Sequence, residues 1–465
     1  MLKIGGQEVA PKILWLLLCD IVIMVAALMI AVISRQPEGI FHIPHLDGMH
    51  TFWRFTVIVV ACIFSLYYYD LYEPQTLSQH DKLIVRLINA LSVAGAAVAL
   101  IYYFFPIVSV GRSVAALAAP ILILSMLLAR LGIEHSGGLI QTPERVLIVG
   151  TDATGIRLTR EILKRPESGM KVVGFLDEKN ENLGKCLVNP CIIGGVADIR
   201  QIVETEKIDR LILALSERRN TMPTDELLRF KMAGIPIEDS HTCYERLIGR
   251  ILLEKLTPSW LILSKGFGKS GFLLAAKRSL DVVVALIGLL LTWPIMLIVA
   301  VAIACESGRP LLFRQKRIGL HGKEFEILKF RSMRKDAEAA GPAWATAHDK
   351  RITRLGTFLR KYRLDELPQL LNVLRGHMSL VGPRPEQPHF CKLLVDNVPY
   401  FEQRHSVRPG ITGWAQVKYQ YGATMDESKI KLELDLFYIK HLSIFLDLAI
   451  LFETAKVMVV GRGAQ

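Results

Sequence analysis

The sequence predicts a three-part fold: a membrane α-helical bundle, an α/β Rossmann-like domain, and a mainly α C-terminal domain carrying a re-entrant membrane helix. Three observations carry this. Four stretches in the first 130 residues are almost free of charge, a strand–turn–helix–strand pattern opens at Glu144, and a further uncharged stretch at 282–305 has basic residues on both sides. A chain of 465 residues has room for two or three domains. Half of it is apolar (51%) while 22% is charged, a proportion ordinary for soluble proteins, so greasy and polar regions must be segregated along the chain.

The four N-terminal stretches are 13–33 (interrupted by Asp20), 55–69, 87–110 and 113–129. A span needs about 20 apolar residues, so the second and fourth must borrow flanking residues such as Phe52, Trp53, Leu71 and Leu131. Lys3, Lys12, Lys82, Arg86, Arg130 and Arg145 lie on one side of these helices, and Arg35, Arg54 and Arg112 on the other. The excess of positive charge places both ends of the bundle, residues 1–135, in the cytoplasm. The apolar start lacks a small-residue cleavage pattern and reads as a retained helix. Seven cysteines (19, 62, 186, 191, 243, 305, 391) form no C-x-x-C pair, which predicts reduced packing residues with neither a zinc site nor a disulfide scaffold.

Residues 144–265 have the texture of a parallel α/β domain. A strand from Arg145 ends in the turn Gly150-Thr-Asp-Ala-Thr-Gly155, a helix follows, and a second strand ends at Asp177. The turn is G-x-x-x-x-G, without the glycine that lets backbone approach a pyrophosphate in G-x-G-x-x-G. Asp177 stands where a ribose hydroxyl would be held but equally suits a strand-end turn. A structural or regulatory domain is expected here.

The segment 282–305 is long enough to cross a bilayer, but its flanks argue against crossing. Lys265, Lys269, Lys277 and Arg278 precede it, and Arg309, Arg314, Lys316 and Arg317 follow, so both ends carry the cytoplasmic signature. Pro294 sits near its middle and removes a backbone hydrogen bond. The expectation is a helix–break–helix over about 277–305 that enters one leaflet and returns, with Thr292 placed to satisfy freed carbonyls.

From Arg309 to Arg363 there are fifteen basic residues against five acidic ones. Most of the chain's net charge of +12 lies there. A juxtamembrane basic cluster suits anionic headgroups or phosphate-rich substrates. Nucleic acid is not expected, because the cluster adjoins a membrane dip and lacks a reading element. Next comes Arg360-Lys-Tyr-Arg-Leu-Asp365-Glu366-Leu-Pro368, followed by leucines at helical spacing. Proline is tolerated only in a first turn, so a helix beginning near 364–367 puts Asp365 and Glu366 at its N-terminus, where the macrodipole lowers carboxylate pKa values. An acidic N-cap explains the pair without chemistry. In this context, however, an ionised carboxylate can attack phosphorus if cations neutralise the transferring group. Lys329, Arg331, Arg360 and Arg384 are the candidate cations. Pro383 and Pro385 fix the backbone around Arg384, which lowers the entropy lost on clamping an anion.

From about Lys277 onward the chain closely resembles the bacterial polyprenyl-phosphate glycosyl-1-phosphate transferases with a monotopic catalytic domain. The matching stretches are Lys329-Phe-Arg-Ser-Met333, Arg363-Leu-Asp-Glu-Leu-Pro-Gln-Leu-Leu-Asn-Val373, Met378-Ser-Leu-Val-Gly-Pro-Arg-Pro385, Arg408-Pro-Gly-Ile-Thr-Gly-Trp-Ala-Gln-Val417 and Lys431-Leu-Glu-Leu-Asp-Leu436. The whole layout is similar to that of the large members that initiate exopolysaccharide or capsule assembly. The resemblance implies that 266–465 is the catalytic domain and that Asp365 attacks the β-phosphate of a nucleotide sugar such as a UDP-hexose. It also implies that Glu366 completes a dyad with Mg²⁺, that Arg384 and Arg360 hold phosphate or nucleotide, and that polyprenyl phosphate takes over the sugar phosphate at the cytoplasmic face of the inner membrane. Dimerisation through the central domain is compatible with it. Two positions depart from the pattern: Trp293 precedes the helix proline where a small hydroxyl residue is frequent, and His377 stands where an acidic residue is common. A membrane-tethered NAD-dependent sugar-modifying enzyme would need a different glycine turn and a Tyr-x-x-x-Lys, which 144–265 lacks. A scaffold or transporter leaves the ordered C-terminal motifs unexplained.

Overall fold

The computed structural model describes residues 3–4, 7–8, 11–35, 48–72, 80–106, 112–135, 143–178, 183–215, 222–253, 256, 258–334, 351–419 and 424–460. Part of the basic cluster, 335–350, and the end of the third apolar stretch, 107–110, lie outside them. The chain divides into two compact units that part at Ser240 and His241.

In the first unit, four helices (Pro11–Arg35, Gly48–Tyr68, His80–Phe104, Arg112–His135) pack through Met24, Leu66, Leu83, Leu87 and Met126. Trp15–Ser34, Leu83–Phe104 and Ser113–Arg130 are long and apolar enough to cross a membrane, while Phe52–Tyr68 is shorter. Leu18, Val22, Ile88 and Leu124 point outward, as expected of helices that meet lipid. The interruption of the first helix by Asp20 has a partner: Arg130 donates to it at 2.6 Å, both side chains buried, and also donates to the Leu71 carbonyl. A charge inside an apolar helix is tolerable when paired in this way. Arg130, counted in the sequence among the flanking charges on the cytoplasmic side, is a buried partner of Asp20.

The same unit carries a five-stranded parallel sheet: β1 Glu144–Val149, β2 Met170–Asp177, β3 Ile192–Gly195, β4 Arg210–Leu213 and β5 Ile237–Asp239, in the order β3-β2-β1-β4-β5. The chain winds outward from β1 in both directions, the doubly wound plan. The expected glycine turn sits at the end of β1 but is filled from within. Gly150 has φ +107°, and a Cβ there would lie 2.1 Å from the Ala214 carbonyl oxygen. Its N–H donates to Leu176, the Asp152 N–H to Ala214, and the Gly155 N–H to the Asp152 carboxylate at 2.6 Å. A phosphate cradle needs such N–H groups free. The cysteine expectation is corrected here: Cys186 and Cys191 form a disulfide. The short loop before β3 folds back through paired bonds between the Lys185–Gly184 stretch and Ile192, which brings the two Cα atoms to 4.0 Å. Spacing alone could not reveal that turn. Cys19, Cys62, Cys243, Cys305 and Cys391 are free.

The second unit is built around one long helix, Gly271–Ser307, which starts at a Ser270 cap and is long and apolar enough to cross a membrane. At 37 residues its path length is about 55 Å. The expected break is corrected: the backbone stays helical through Pro294 in one unbroken helix, and the Thr292 hydroxyl donates to the Gly288 carbonyl at 2.7 Å. That is not the carbonyl of residue 290, which Pro294 deprives of its donor. Both ends of the helix are tied to the same domain. Near the start, Lys277, Asp281 and Ala285 are buried; near the end, Val299 and Ile303 pack with Phe330 and Leu359. Between them Leu290, Leu291, Trp293, Leu297 and Ile298 are exposed.

The domain on this helix is mainly α, with an antiparallel pair (Leu312–Ile318 with Glu324–Phe330) and a short parallel pair (Ser379–Val381 with Gly410–Thr412). The two glycine-bearing motifs cross at the parallel pair. A Cβ on Gly410 would sit 2.1 Å from the Gly382 nitrogen, and one on Gly413 would sit 2.2 Å from the Gly382 oxygen, so only glycines let these backbones touch. Two short helices (Met425–His441, Ile444–Val460) close the core.

Candidate active site

Asp365 and Glu366 lie on a single 3₁₀ turn, Leu364–Glu366, ahead of the helix Gln369–Leu374. This corrects the expected register. Pro368 flanks the α-helix instead of occupying its first turn, and the acids sit one turn further out. Arg363 enters the turn in the left-handed region (φ 52°, ψ 24°). A non-glycine residue there carries strain of order 1 kcal/mol or more and occurs where surroundings enforce it. Asn372, fully buried, ties the following helix to a strand: its amide donates to the Glu326 carbonyl at 2.7 Å and its oxygen accepts from the Leu328 N–H. Through it the acid-bearing segment is locked to the strand that carries Lys329.

Three cations converge on Glu366. Lys329 Nζ lies 3.1 Å and Arg384 Nη2 3.3 Å from Oε1, and Arg363 Nη1 lies 3.6 Å from Oε2. Burial by itself would raise the Glu366 pKa, but Lys329, Arg384 and Arg363 together hold it well below the usual carboxylate range. The neighbouring Asp365 moves the opposite way. Burial first, then the Glu366 charge, raise its pKa above the ordinary value, and Lys329 and Arg360 offset this only in part. The expectation that the helix end lowers both values is therefore corrected. The helix is six residues long and begins beyond the acids, so burial and neighbouring charges decide. Burial likewise lowers the Lys329 pKa, with Arg384 adding to it against the pull of Glu366. Two adjacent carboxylates with diverging pKa values suit two different roles.

The remaining candidates divide. Arg360 donates to the Ser332 hydroxyl at 3.1 Å and acts on Asp365 through its charge. Pro383 and Pro385 are buried, and their carbonyls accept from the Gly410 N–H and from Arg317, so the Arg384 backbone is held on both sides. Arg331 is turned elsewhere: one guanidinium nitrogen donates to the Ser307 carbonyl and hydroxyl and to the Gly308 carbonyl, closing the end of the long helix. His377, left without a role, has its ring tilted against Phe325, the two centroids 6.0 Å apart.

Several supporting residues were missed in the sequence. Arg404, buried, donates to the Arg384 carbonyl at 2.9 Å and pairs with buried Asp435 at 2.8 Å, joining the Pro-Arg-Pro turn to the Lys431–Leu436 motif. Burial raises the Asp435 pKa to about 6, Arg404 opposing it. Asp281 accepts from the Ser379 hydroxyl and the Leu380 N–H, and Lys277 donates to the Val381 carbonyl and to Asp447. For Asp281 and Asp447 the charge inside an apolar helical run was the available signal, whereas Arg404, in the polar segment Phe401–Ser406, gave none. Among the described residues no group of three or more His, Cys, Asp or Glu could hold a metal ion.

A family profile described as "Bacterial sugar transferase" matches residues 272–461, and one described as "CoA-binding domain" matches residues 68–230. The chain is 33% identical over 336 residues to a UDP-glucose:undecaprenyl-phosphate glucose-1-phosphate transferase of Xanthomonas campestris pv. campestris, covering 69% of this chain and 67% of that one. It is 42% identical over 239 residues to a UDP-N-acetylgalactosamine-undecaprenyl-phosphate N-acetylgalactosaminephosphotransferase of Aeromonas hydrophila, covering 51% of this chain and 56% of the relative. It is 40% identical over 190 residues to an Escherichia coli (strain K12) protein named as a UDP-glucose:undecaprenyl-phosphate glucose-1-phosphate transferase, covering 40% of this chain and 41% of the relative. The match thus spans from under half to two thirds of these relatives' length. Apolar helices and the buried acid pair, with these likenesses, define a membrane-associated enzyme. The chain belongs to the bacterial sugar transferase family.

Proposed function

We propose that this enzyme transfers a hexose-1-phosphate from a UDP-sugar to undecaprenyl phosphate through a covalent intermediate on Asp365, at the cytoplasmic face of the inner membrane, starting an exopolysaccharide-type glycan. The observation that carries the reading is the asymmetry of the acid pair: Glu366 is neutralised by three cations, while among the described residues Asp365 beside it has no ion pair and feels Lys329 and Arg360 only through their charge. In the first step an Asp365 oxygen bonds to the β-phosphorus and the bond from that phosphorus to the α-phosphate oxygen breaks, so UMP leaves with that electron pair. In the second, an oxygen of the lipid phosphate attacks the same phosphorus and the Asp365 carboxylate departs. Lys329, Arg384 and Arg363, which hold Glu366 in this structure, would donate to the phosphate oxygens as charge builds on them.

Mg²⁺ takes one or two carboxylates and completes its shell with phosphate and water, so it would need Lys329, Arg384 and Arg363 to turn from Glu366 to the diphosphate first. Asp365 and Glu366 would hold it. When bound, the ion would neutralise charge on the diphosphate.

The reading also places the long helix as a re-entrant one. Its support is that both ends pack on one domain while the middle, around Trp293 and Pro294, is exposed and apolar. A reporter fused after residue 460 is expected on the cytoplasmic side. Signal from outside the membrane would mean that the helix crosses.

The test of the reaction is UMP release by purified enzyme with Mg²⁺ across UDP-glucose, UDP-N-acetylgalactosamine and related sugars. No release from any donor would remove the proposal. The pH profile is a further expectation. The nucleophile must be ionised and its pKa is raised by burial and by Glu366, so the rate of the first step should fall with decreasing pH on a limb above the ordinary aspartate value of 3.8. A flat profile down to that value would exclude Asp365 as the titrating nucleophile.

A further inference from the structure

Next to the acid pair lies an open cavity of about 120 Å³ that the steps above do not use. Arg363 and Glu366 form one end. Its walls are Leu367 and Leu370 from the acid-bearing segment, Ile411 and Val417 from the glycine-crossing motif, and a polar fringe of Thr412, Gln416 and Thr454. The lining is predominantly apolar. The space holds many water-sized spheres, yet an apolar cleft offers water few partners.

Two features tie this cleft to the greasy side of the domain. Leu370 reaches within 3.2 Å of the position a Cβ would take on Gly288, in the uncharged part of the long helix, so any larger residue at 288 would press on the cavity wall. Thr454 comes from the helix Ile444–Val460, whose sequence is apolar apart from Asp447, Glu453, Thr454 and Lys456. Its hydroxyl is bonded to that of Thr412 at 2.7 Å and to the Ile450 carbonyl, which leaves its methyl group for the cavity. At the other end, Arg363 is the least tightly held of the three cations around Glu366, at 3.6 Å with its side chain one-third exposed. The cleft thus offers an apolar channel with a loosely engaged guanidinium at the end nearest the nucleophile.

We propose that this cleft is the acceptor subsite. The first isoprene units of the polyprenyl phosphate would lie against Leu367, Leu370, Ile411 and Val417, and the lipid phosphate would meet Arg363. The chemistry argues for one occupant, since an apolar chain ending in an anion matches both ends of the cleft and a nucleotide matches only one. The inference rests on the proposed transfer to a lipid phosphate. It adds a second role for Arg363, whose guanidinium pairs with Glu366 and also lines the cleft: it would meet the lipid phosphate on its way to the phosphorus on Asp365.

The experiment fills the cleft and separates the two substrates. Ile411→Trp is expected to raise KM for polyprenyl phosphate about ten-fold or more, because excluding even two buried methylenes costs roughly that factor. KM for the UDP-sugar should stay within about two-fold. A matching rise for both substrates, or none for the lipid, would overturn the assignment. A measurement independent of turnover uses Thr454→Cys. Geranylgeranyl phosphate in micelles should slow modification of that cysteine by a thiol reagent, read by mass on its peptide, whereas inorganic phosphate and UDP-sugar should not. Equal labelling with and without the prenyl phosphate would sink the proposal even if the tryptophan variant misfolds. If wild-type enzyme releases UMP while both of these tests fail, the subsite is wrong and the transfer reaction stands. If it releases none, the transfer reaction itself is wrong.

Discussion

Asp365→Asn is expected to abolish donor-dependent UMP release, by about 10⁴-fold or more, the scale on which loss of a covalent nucleophile is felt. The substitution keeps the shape of the side chain and removes the electron-rich oxygen that would bond to phosphorus. Nothing else in the described site can replace it. Glu366 is adjacent, but Lys329, Arg384 and Arg363 hold its charge, and an anion held so far below its usual pKa is a poor nucleophile. Donor labelled at the β-phosphate should leave label on the wild-type protein in the absence of acceptor and none on Asp365→Asn. Folding should be preserved, because the Asp365 pKa is raised and its ionised form is the less favoured one in the folded protein. Equal labelling of both proteins would move the nucleophile elsewhere.

Lys277→Met is expected to destabilise the C-terminal domain by about 3–5 kcal/mol, the cost of leaving a buried charge without its partner. Lys277 and Asp447 meet at 2.6 Å with side chains 9% and 2% exposed. The Tyr438 hydroxyl donates to the same carboxylate at 2.7 Å and lies 3.0 Å from the Val381 carbonyl, to which Lys277 donates, so the network fastens the long helix and the last helix to the strand that leads into the Pro-Arg-Pro turn. Thermal unfolding of detergent-solubilised protein should shift down accordingly. Lys277→Met with Asp447→Leu should recover much of the loss, because the cost lies in the orphaned carboxylate more than in the missing pair. If the single variant unfolds at the wild-type temperature, the network contributes nothing to holding the helix.

The element types were legible in the sequence wherever a long period repeated. The apolar runs of the bundle and the strand ending at Asp177 stand where hydrophobic pattern placed them, and the apolar run around Pro294 is helical but lacks the break expected there. The acid pair was found because Asp365 and Glu366 adjoin a basic stretch. Partners across large separations were not legible. Arg130 read as a membrane flank until Asp20, 110 residues away, was found against it. Arg331 read as one more cation until its guanidinium was found on Ser307 and Gly308. The glycine turn at Gly150 read as an incomplete nucleotide motif, and the fold supplied the reason: Ala214 packs against Gly150, and the turn's N–H groups at Gly150, Asp152 and Gly155 are already bonded within the protein.

By itself the sequence determined which segments are greasy, which are α/β, and that two acids follow a run of basic residues, because those properties depend on neighbours along the chain. The tertiary structure alone decided how the acids differ. Burial and the convergence of Lys329, Arg363 and Arg384 on one carboxylate, from three separate segments, push two chemically similar neighbours in opposite directions. Charge interactions act through space, and only the folded chain sets those distances.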